Sequence, residues 1–340
     1  MFCHHPFDRM EIKADGNAYC CCENWLPKPM GNVLTDGLMG TWKGSSARNI
    51  RDSILDGSFR YCTSCPFLPG PGGCVTASPP TPPTSDSIRT LKLDYDQSCN
   101  LACPSCRTAH SKDFVKEDEI AKIHDVVLAS QAINHARMLY LTGAGDPFAS
   151  KLYRTFLQHL PEMTPNTNLQ IFLHTNGLLF DEAHWAEMGP ARELVSGVGI
   201  SIDAACEETY RQNRQASWKK LWENIDFINS LRKKSSHPVA LGMFFTMQAN
   251  NFQEVPAFTR LAFHNHADGI DFNLLSNWGT YTSDEYTRRA VHQPTHPQHD
   301  RFLQMLRDPC LDDPRITIPR QDTMRRQDIP LIFRKLETEI

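Results

Sequence analysis

A chain of 340 residues with 40% apolar and 22% charged residues has enough core-forming side chains for roughly two or three domains, which excludes a disordered or fibrous class. Its net charge of -4 gives no basic field to draw nucleic acid or an anionic membrane, and no stretch approaches the roughly 18 uninterrupted apolar residues of a membrane span. The start Met1-Phe2-Cys3-His4-His5-Pro6 lacks the basic and apolar regions of a signal peptide, so the chain reads as cytoplasmic, and twelve cysteines there suit metal ligation better than disulfides.

Residues 1–75 read as a first unit, poor in long helices and holding seven of the cysteines. Asp15-Gly16 marks a hairpin turn between Met10-Glu11-Ile12 and Ala18-Tyr19-Cys20, which delivers Cys20, Cys21 and Cys22 on or just after a short strand. Successive strand residues face opposite sides, so these three cannot all face one metal centre. The turn Met30-Gly31-Asn32-Val33, a Trp42 turn and the amphipathic stretch Ala47 to Leu55 lead to Cys62-Thr63-Ser64-Cys65. From Gly70 to Ser87 the chain is rich in Pro, Gly, Ser and Thr, which neither a helix nor a central strand accommodates, so 76–87 is a stiff exposed linker.

From residue 88 onward β-type apolar runs alternate with helical patterns. Strands are expected over 90–95, 137–142, 169–174, 195–202, 239–247 and 269–275, with helical stretches such as Glu117 to Ser130 and Trp218 to Leu231 between them. Strict alternation predicts parallel βα units, whose active face lies at the carboxyl ends of the strands. The first strand runs into Cys99-Asn100-Leu101-Ala102-Cys103-Pro104-Ser105-Cys106, a CxxxCxxC loop of three soft thiolates suited to an iron-sulfur cluster. Three ligands for the four irons of a cubane leave one iron open for chemistry. Paired with Cys62-x2-Cys65, the same cysteines also fit a structural zinc site.

After the second strand, Leu141-Thr142-Gly143-Ala144-Gly145-Asp146 is a turn whose glycines let backbone approach a ligand closely. The fourth strand ends in Ser201-Ile202-Asp203, two groups on one face suited to ribose hydroxyls, followed by Cys206, Tyr210 and Arg214. Helix capping by Asp203 and a solvated Arg214 is the plainer alternative. Asn176, Gln248, Asn250, Asn273, Asn277 and Trp278 follow other strand ends as candidate substrate groups or turn residues. Residues 281–340 form a C-terminal extension packed on the core, with the His292 to His299 stretch as a solvated loop.

These motifs resemble the radical S-adenosylmethionine (SAM) superfamily, although Ser105 stands where that family usually has an aromatic residue. The resemblance implies an α/β fold, a partial (βα)6 TIM-like barrel over 88–280 preceded by a small cysteine-rich auxiliary-cluster domain. It implies that Cys99, Cys103 and Cys106 hold a 4Fe-4S cluster whose open iron chelates SAM, and that an electron from the cluster cleaves the sulfonium to a 5'-deoxyadenosyl radical. It assigns Gly143, Ala144, Gly145 and Asp146 to the methionine amino group, Ser201 and Asp203 to the ribose, and Arg214 to the SAM carboxylate.

The first unit resembles the SPASM and twitch domains through Gly16-x4-Cys21, Gly31-Asn32, Trp42 and Cys62-x2-Cys65, although those usually follow the core. That implies a second 4Fe-4S cluster on Cys3, Cys21, Cys62 and Cys65. Relatives act mostly on peptides, by epimerisation, dehydrogenation or crosslinking, and some on aminoglycoside-type sugars, with flavodoxin or ferredoxin as electron donor. No leader-peptide-binding domain is expected ahead of the cysteine unit. Cys206, just past a strand end, would be the hydrogen-atom donor in an epimerase, with a small packing residue as the plainer alternative. A non-catalytic zinc-binding interaction protein is the alternative of another class.

Overall fold

Alternation of Met10 and Ile12 with charged neighbours makes a strand with one apolar face, and a computed structural model shows what covers each side. It describes residues 2–63, 65, 87–111 and 115–319. Strand β1 (Arg9–Lys13) turns through Asp15-Gly16 into β2 (Asn17–Tyr19), antiparallel with Glu11 opposite Tyr19, and β2 pairs with β3 (Gly31–Asn32). Around them lie α1 (His5–Asp8), α2 (Val33–Asp36), α3 (Leu38–Lys43) and α4 (Ser45–Leu55). Arg51 of α4 is buried and ties the unit together: it donates to the Pro6 and Trp42 carbonyls at 2.8 and 2.9 Å while lying over the Trp42 ring.

The six expected core strands are present within one or two residues: β4 (Thr90–Asp94), β5 (Met138–Leu141), β6 (Gln170–Thr175), β7 (Val195–Ser201), β8 (Ala240–Met247) and β9 (Gly269–Leu274). All pair in parallel in chain order. The crossovers carry α5 (Glu117–Ala129), α6 (Lys151–Met163), α7 (Glu182–Glu187), α8 (Glu207–Arg214), α9 (Trp218–Lys234) and α10 (Val255–His264). Strands covered on both faces read as near-continuous apolar runs, which is why they were legible in the sequence. Leu139, Leu141, Ile171, Leu173, Ile200, Leu241 and Met243 face the helices in the main core. Met138, Tyr140, Phe172, Ala240 and Phe244 alternate with them and pack as a separate group on the inner face. Gly199 must lack a side chain there, since a Cβ would lie 2.6 Å from the Phe244 ring and 3.0 Å from Phe172.

Sheet pairing makes the cysteine unit and the barrel continuous. β1 lies parallel to β4, from Arg9 opposite Thr90 to Lys13 opposite Asp94, and with β10 (Ile316–Thr317) at the far edge the strand order is β10-β9-β8-β7-β6-β5-β4-β1-β2-β3. Charge locks that seam: buried Glu11 pairs with Arg9, Lys13 and Lys92 at 3.2, 2.6 and 3.0 Å, and Lys13 reaches Asp94 at 2.7 Å. Burial alone would raise the Glu11 carboxyl, but Lys92, Lys13 and Arg9 hold it well below the usual range. Apart from Ser87, the expected linker lies outside the described residues.

The C-terminal extension also enters the sheet. After α11 (Ser283–Arg289) and α12 (His299–Met305), β10 (Ile316–Thr317) pairs in parallel with β9. The expected solvated histidine loop is instead a packed turn. His296 is buried, its Nε2 on the Arg288 carbonyl and its Nδ1 on the Gln298 N–H, both at 3.1 Å, and His299 Nδ1 meets the Val291 carbonyl. Ring nitrogens committed to backbone are poor metal ligands.

Candidate functional site

The cysteine loop after β4 is seated by the turn after β5. Asp146 N–H donates to the Ser98 carbonyl at 2.8 Å, and a Cβ on Gly145 would lie 2.5 Å from the Asp96 carbonyl oxygen and 2.7 Å from that of Ser98. Only glycine permits this approach. Ser111 clamps the other side, its hydroxyl accepting from Cys99 N–H and donating to the Cys99 carbonyl, each at 2.9 Å. Each thiol has an N–H donor at hand. Cys99 Sγ has Leu101 N–H at 3.4 Å and Asn176 Nδ2 at 3.7 Å, Cys103 Sγ has Arg214 Nη1 at 3.9 Å, and Cys106 Sγ has Arg107 Nη2 at 3.5 Å. Burial pushes Cys99 up to about 11 and Cys103 upward, so both are neutral thiols until a metal takes the sulfur. Three soft donors, each with a hydrogen bond to its sulfur, suit an iron-sulfur cluster. Among the described residues no three His, Cys, Asp or Glu side chains converge on a single-ion position.

Two carboxylates expected to face SAM have other work. Asp146 is 1% exposed, and its oxygens accept from Phe148 N–H at 3.1 Å, Thr175 Oγ1 at 2.7 Å and Asn176 N–H at 2.9 Å. It binds the turn to the end of β6 rather than presenting an open acceptor. Within the same turn Ala144 donates to Asp94 at 2.8 Å, its carbonyl accepts from Arg107 at 2.7 Å, and Gly143 lies against Lys92. Asp203 has φ +62°, a left-handed conformation uncommon outside glycine, which aims its carboxylate inward. One oxygen accepts from Thr246 N–H at 2.6 Å and the other from Arg214 Nη2 at 2.7 Å. Asp203 thereby fixes the guanidinium that reaches Cys103. Burial raises the Asp203 carboxyl, and Arg214 opposes that shift.

Ser201 sits at the inner end of β7 and bonds His174 Nε2 at 2.9 Å, while His174 Nδ1 meets the Tyr140 hydroxyl at 2.6 Å. Burial drives the His174 imidazole down to about 3, so it is neutral. Both ring nitrogens of His174 are thus committed, Nδ1 to the Tyr140 hydroxyl and Nε2 to Ser201. Asp271 on β9 faces the same interior. Its hydrogen-bond partner there is Asn273 Nδ2 at 2.8 Å, and burial pushes its carboxyl up to about 7.

The structure does not bring Cys206 into this group. The thiol is exposed at the start of α8, 3.4 Å from Thr209 Oγ1 and 3.7 Å from Glu254 Oε1.

The N-terminal thiols do gather. Cys62 and Cys65 act on Cys3, while Cys3 and Cys65 act on Cys21. Burial pushes Cys3 up to about 12 and Cys62 to about 11. Because β2 ends at Tyr19, strand alternation stops before the triplet. Cys20 therefore also lies within reach of Cys3 and Cys62, whereas Cys22 stands apart among Glu11, Lys13 and Lys92. Thr63 N–H donates to the Trp25 carbonyl at 2.7 Å and holds the Cys62 segment to the turn after Cys22. Cys74 lies outside the described residues.

Sequence reading missed Arg107 and the Tyr140-His174 pair. Arg107 follows the third cysteine directly, which is a usable signal; the Tyr140-His174 contact between two strands leaves none.

Residues 97–252 match the family model of the radical SAM superfamily, and residues 3–66 match that of SPASM, an iron-sulfur cluster-binding domain. The chain therefore carries a radical SAM domain, preceded by a SPASM domain. Those domains bring a 4Fe-4S cluster with SAM, and auxiliary iron-sulfur chemistry, as cofactors. No curated protein matches the sequence.

Among solved structures the chain is similar to Streptococcus suis SuiB bound to S-adenosylmethionine, at 11% identity and TM-score 0.43, covering 68% of this chain and 44% of that one. SuiB bound to the precursor peptide SuiA gives 11% identity and TM-score 0.44, covering 68% and 53%. The methyltransferase TsrM from Kitasatospora setae, with tryptophan and a SAM analogue, gives 12% identity and TM-score 0.36, covering 52% and 34%. The chain thus spans about half the length of the SuiB chains. No helix among the described residues is long and apolar enough to cross a membrane.

Proposed function

We propose that this chain cleaves SAM reductively at a cluster held by Cys99, Cys103 and Cys106 and uses the radical to take a hydrogen atom from a peptide. The observation that carries this reading is the cysteine loop itself, three thiols in one turn, each beside an N–H donor, with Arg214 delivered to Cys103 by buried Asp203. When bound, the cluster and SAM supply a 5'-deoxyadenosyl radical able to attack an unactivated C–H bond. Arg107 and Arg214 bring positive charge to the sulfurs, Gly145 sets the loop's position, and Asn176 orients Cys99.

The substrate seat is the inner face of the sheet, where Lys92, Tyr140, His174, Ser201 and Asp271 surround the carboxyl ends of the strands. Such a lining offers donors and one acceptor of tunable charge to a polar group of the substrate. A peptide follows from the SPASM resemblance, and the outcome is a choice among epimerisation, dehydrogenation and crosslinking. Cys3, Cys21, Cys62 and Cys65 would close the shell of an auxiliary cluster, an anchor or a path for electrons, with flavodoxin or ferredoxin as the outer donor. The division into 1–75, the linker 76–87, the core 88–280 and the extension 281–340 is part of the same reading.

The test is anaerobic incubation of the reconstituted protein with SAM and dithionite. The wild type forms 5'-deoxyadenosine and the Cys99→Ala, Cys103→Ala, Cys106→Ala triple variant does not. Equal yields from both would remove the loop from the reaction.

A further inference from the structure

Along the seam between β1 and β4 the charges do not balance. Met10 and Ile12 of β1 and Leu91 and Leu93 of β4 face the main core, so Arg9, Glu11 and Lys13 share the inner face with Lys92 and Asp94. Three cations there meet two carboxylates. The carboxylates lie underneath, Glu11 with 5% and Asp94 with 3% of the side chain accessible, while Arg9, Lys13 and Lys92 keep 29, 23 and 14%. What this wall presents is therefore positive. Arg9 adds a donor that no acceptor meets: its Nη2 reaches Glu11 Oε2 at 3.2 Å, but its Nε is buried without a partner. A guanidinium is a rigid fork of donors matched to a carboxylate, and a buried donor left over on such a fork points to a ligand.

The wall stands beside the reacting turn. Lys92 Nζ would lie 3.0 Å from a Cβ on Gly143, in the turn that seats the cysteine loop, and it is 5.3 Å from the Tyr140 ring centroid. Tyr140 is acted on by Arg9, Asp94 and Glu11 of the seam and by Asp271 of β9, so the seam and β9 face each other across one interior. Its floor is apolar, with Tyr140 stacked on Phe172 at 5.0 Å between ring centroids and Phe244 in the same group. Asp271 on the far wall is held by Asn273, and burial pushes its carboxyl up to about 7. It therefore cancels less of the surplus at neutral pH than an ordinary carboxylate would.

We propose that Arg9, Lys13 and Lys92 form a carboxylate-binding wall in the substrate cavity, so that the peptide acted on carries an acidic group, an Asp or Glu side chain or its own C-terminus, beside the residue that reacts. Arg9 supplies the directed donors, and Lys13 and Lys92 supply charge. Two of the three belong to the N-terminal unit, which makes that unit a part of substrate selection. The inference rests on the reading of the inner face as the substrate seat.

Ultrafiltration of the reconstituted holoprotein with an equimolar mixture of N-acetylated pentapeptides tests it, the retained peptides being measured by mass spectrometry. Excess SAM is present throughout, so its own carboxylate is common to every arm. Amidated peptides carry Glu, Gln, Asp, Asn or Ala at the centre, and one more carries Ala with a free carboxylate end. An acidic peptide should be retained about tenfold more than its neutral partner, as expected for a hydrogen bond to a charged group. Preference for Glu or Asp identifies a side chain as the source, and preference for the free acid identifies the C-terminus. Arg9→Gln should abolish the preference at unchanged iron content, and Arg9→Lys should restore part of it; the wild-type comparison decides even where a variant does not fold. Equal retention of acidic and neutral peptides, or of none, overturns the proposal and assigns the surplus charge to the N-terminal thiols, since Arg9 also acts on Cys21. The reading of the cysteine loop fails separately, when iron-replete wild type with SAM and dithionite forms no 5'-deoxyadenosine.

Discussion

Asp203 shows how one backbone angle redirects a side chain. At an extended φ its carboxylate would share a face with Ser201; at φ +62° it turns inward to Thr246 and Arg214. Asp203→Ala should therefore leave the Arg214 charge buried and unpaired, at a cost of about 3 to 5 kcal/mol. Chemical denaturation of the wild type and variant measures it, and a loss under about 1 kcal/mol would mean a solvated pair. Asp271 makes a second prediction, one that depends on pH. Its folded value of about 7 lies above the ordinary 3.8, so the folded chain keeps a proton that the unfolded chain releases. Stability from this group is full below about pH 4 and falls as pH rises to about 7, by at most about 4 kcal/mol at ~1.4 per pH unit. Asp271→Asn should lack this slope, so thermal unfolding of the two proteins should diverge between pH 5 and pH 8, the variant being relatively more stable at pH 8.

At the scale of elements, the turn after β5 and the cysteine loop form one unit because Gly145 lies against the Asp96 and Ser98 carbonyls. Gly145→Ala should push the loop away and cost iron at that site alone, leaving the N-terminal thiols loaded. Iron analysis checks it, and full iron in the variant would show that the loop adapts. Much of this was legible in the sequence. The strands from β4 to β9 announced themselves as apolar runs between helical repeats, and the cysteine spacing named the loop. The pairing of β1 with β4 was not legible, since Met10-Glu11-Ile12 signals a strand but nothing in it names a partner some eighty residues away. Packing of His296 was hidden for the same reason: it depends on contacts between separate segments. Cys20, Cys21 and Cys22 do not all face one centre, as expected, but β2 stops at Tyr19, so alternation does not decide which of them stands apart.

Across the whole molecule, the seam of Arg9, Glu11, Lys13, Lys92 and Asp94 places charge between the two sets of thiols. Arg9 acts on Cys21 at one end, and Asp94 accepts from Ala144, beside the cysteine loop, at the other. The account assigns a separate cluster to each end. Iron and zinc analysis after anaerobic reconstitution tests that directly, on the wild type, on the Cys99, Cys103, Cys106 triple alanine variant, and on the Cys3, Cys21, Cys62, Cys65 quadruple one. Two cubanes predict about eight irons per chain in the wild type and about half of that in each variant. Stoichiometric zinc with little iron, or a triple variant with the full iron content of the wild type, would contradict it.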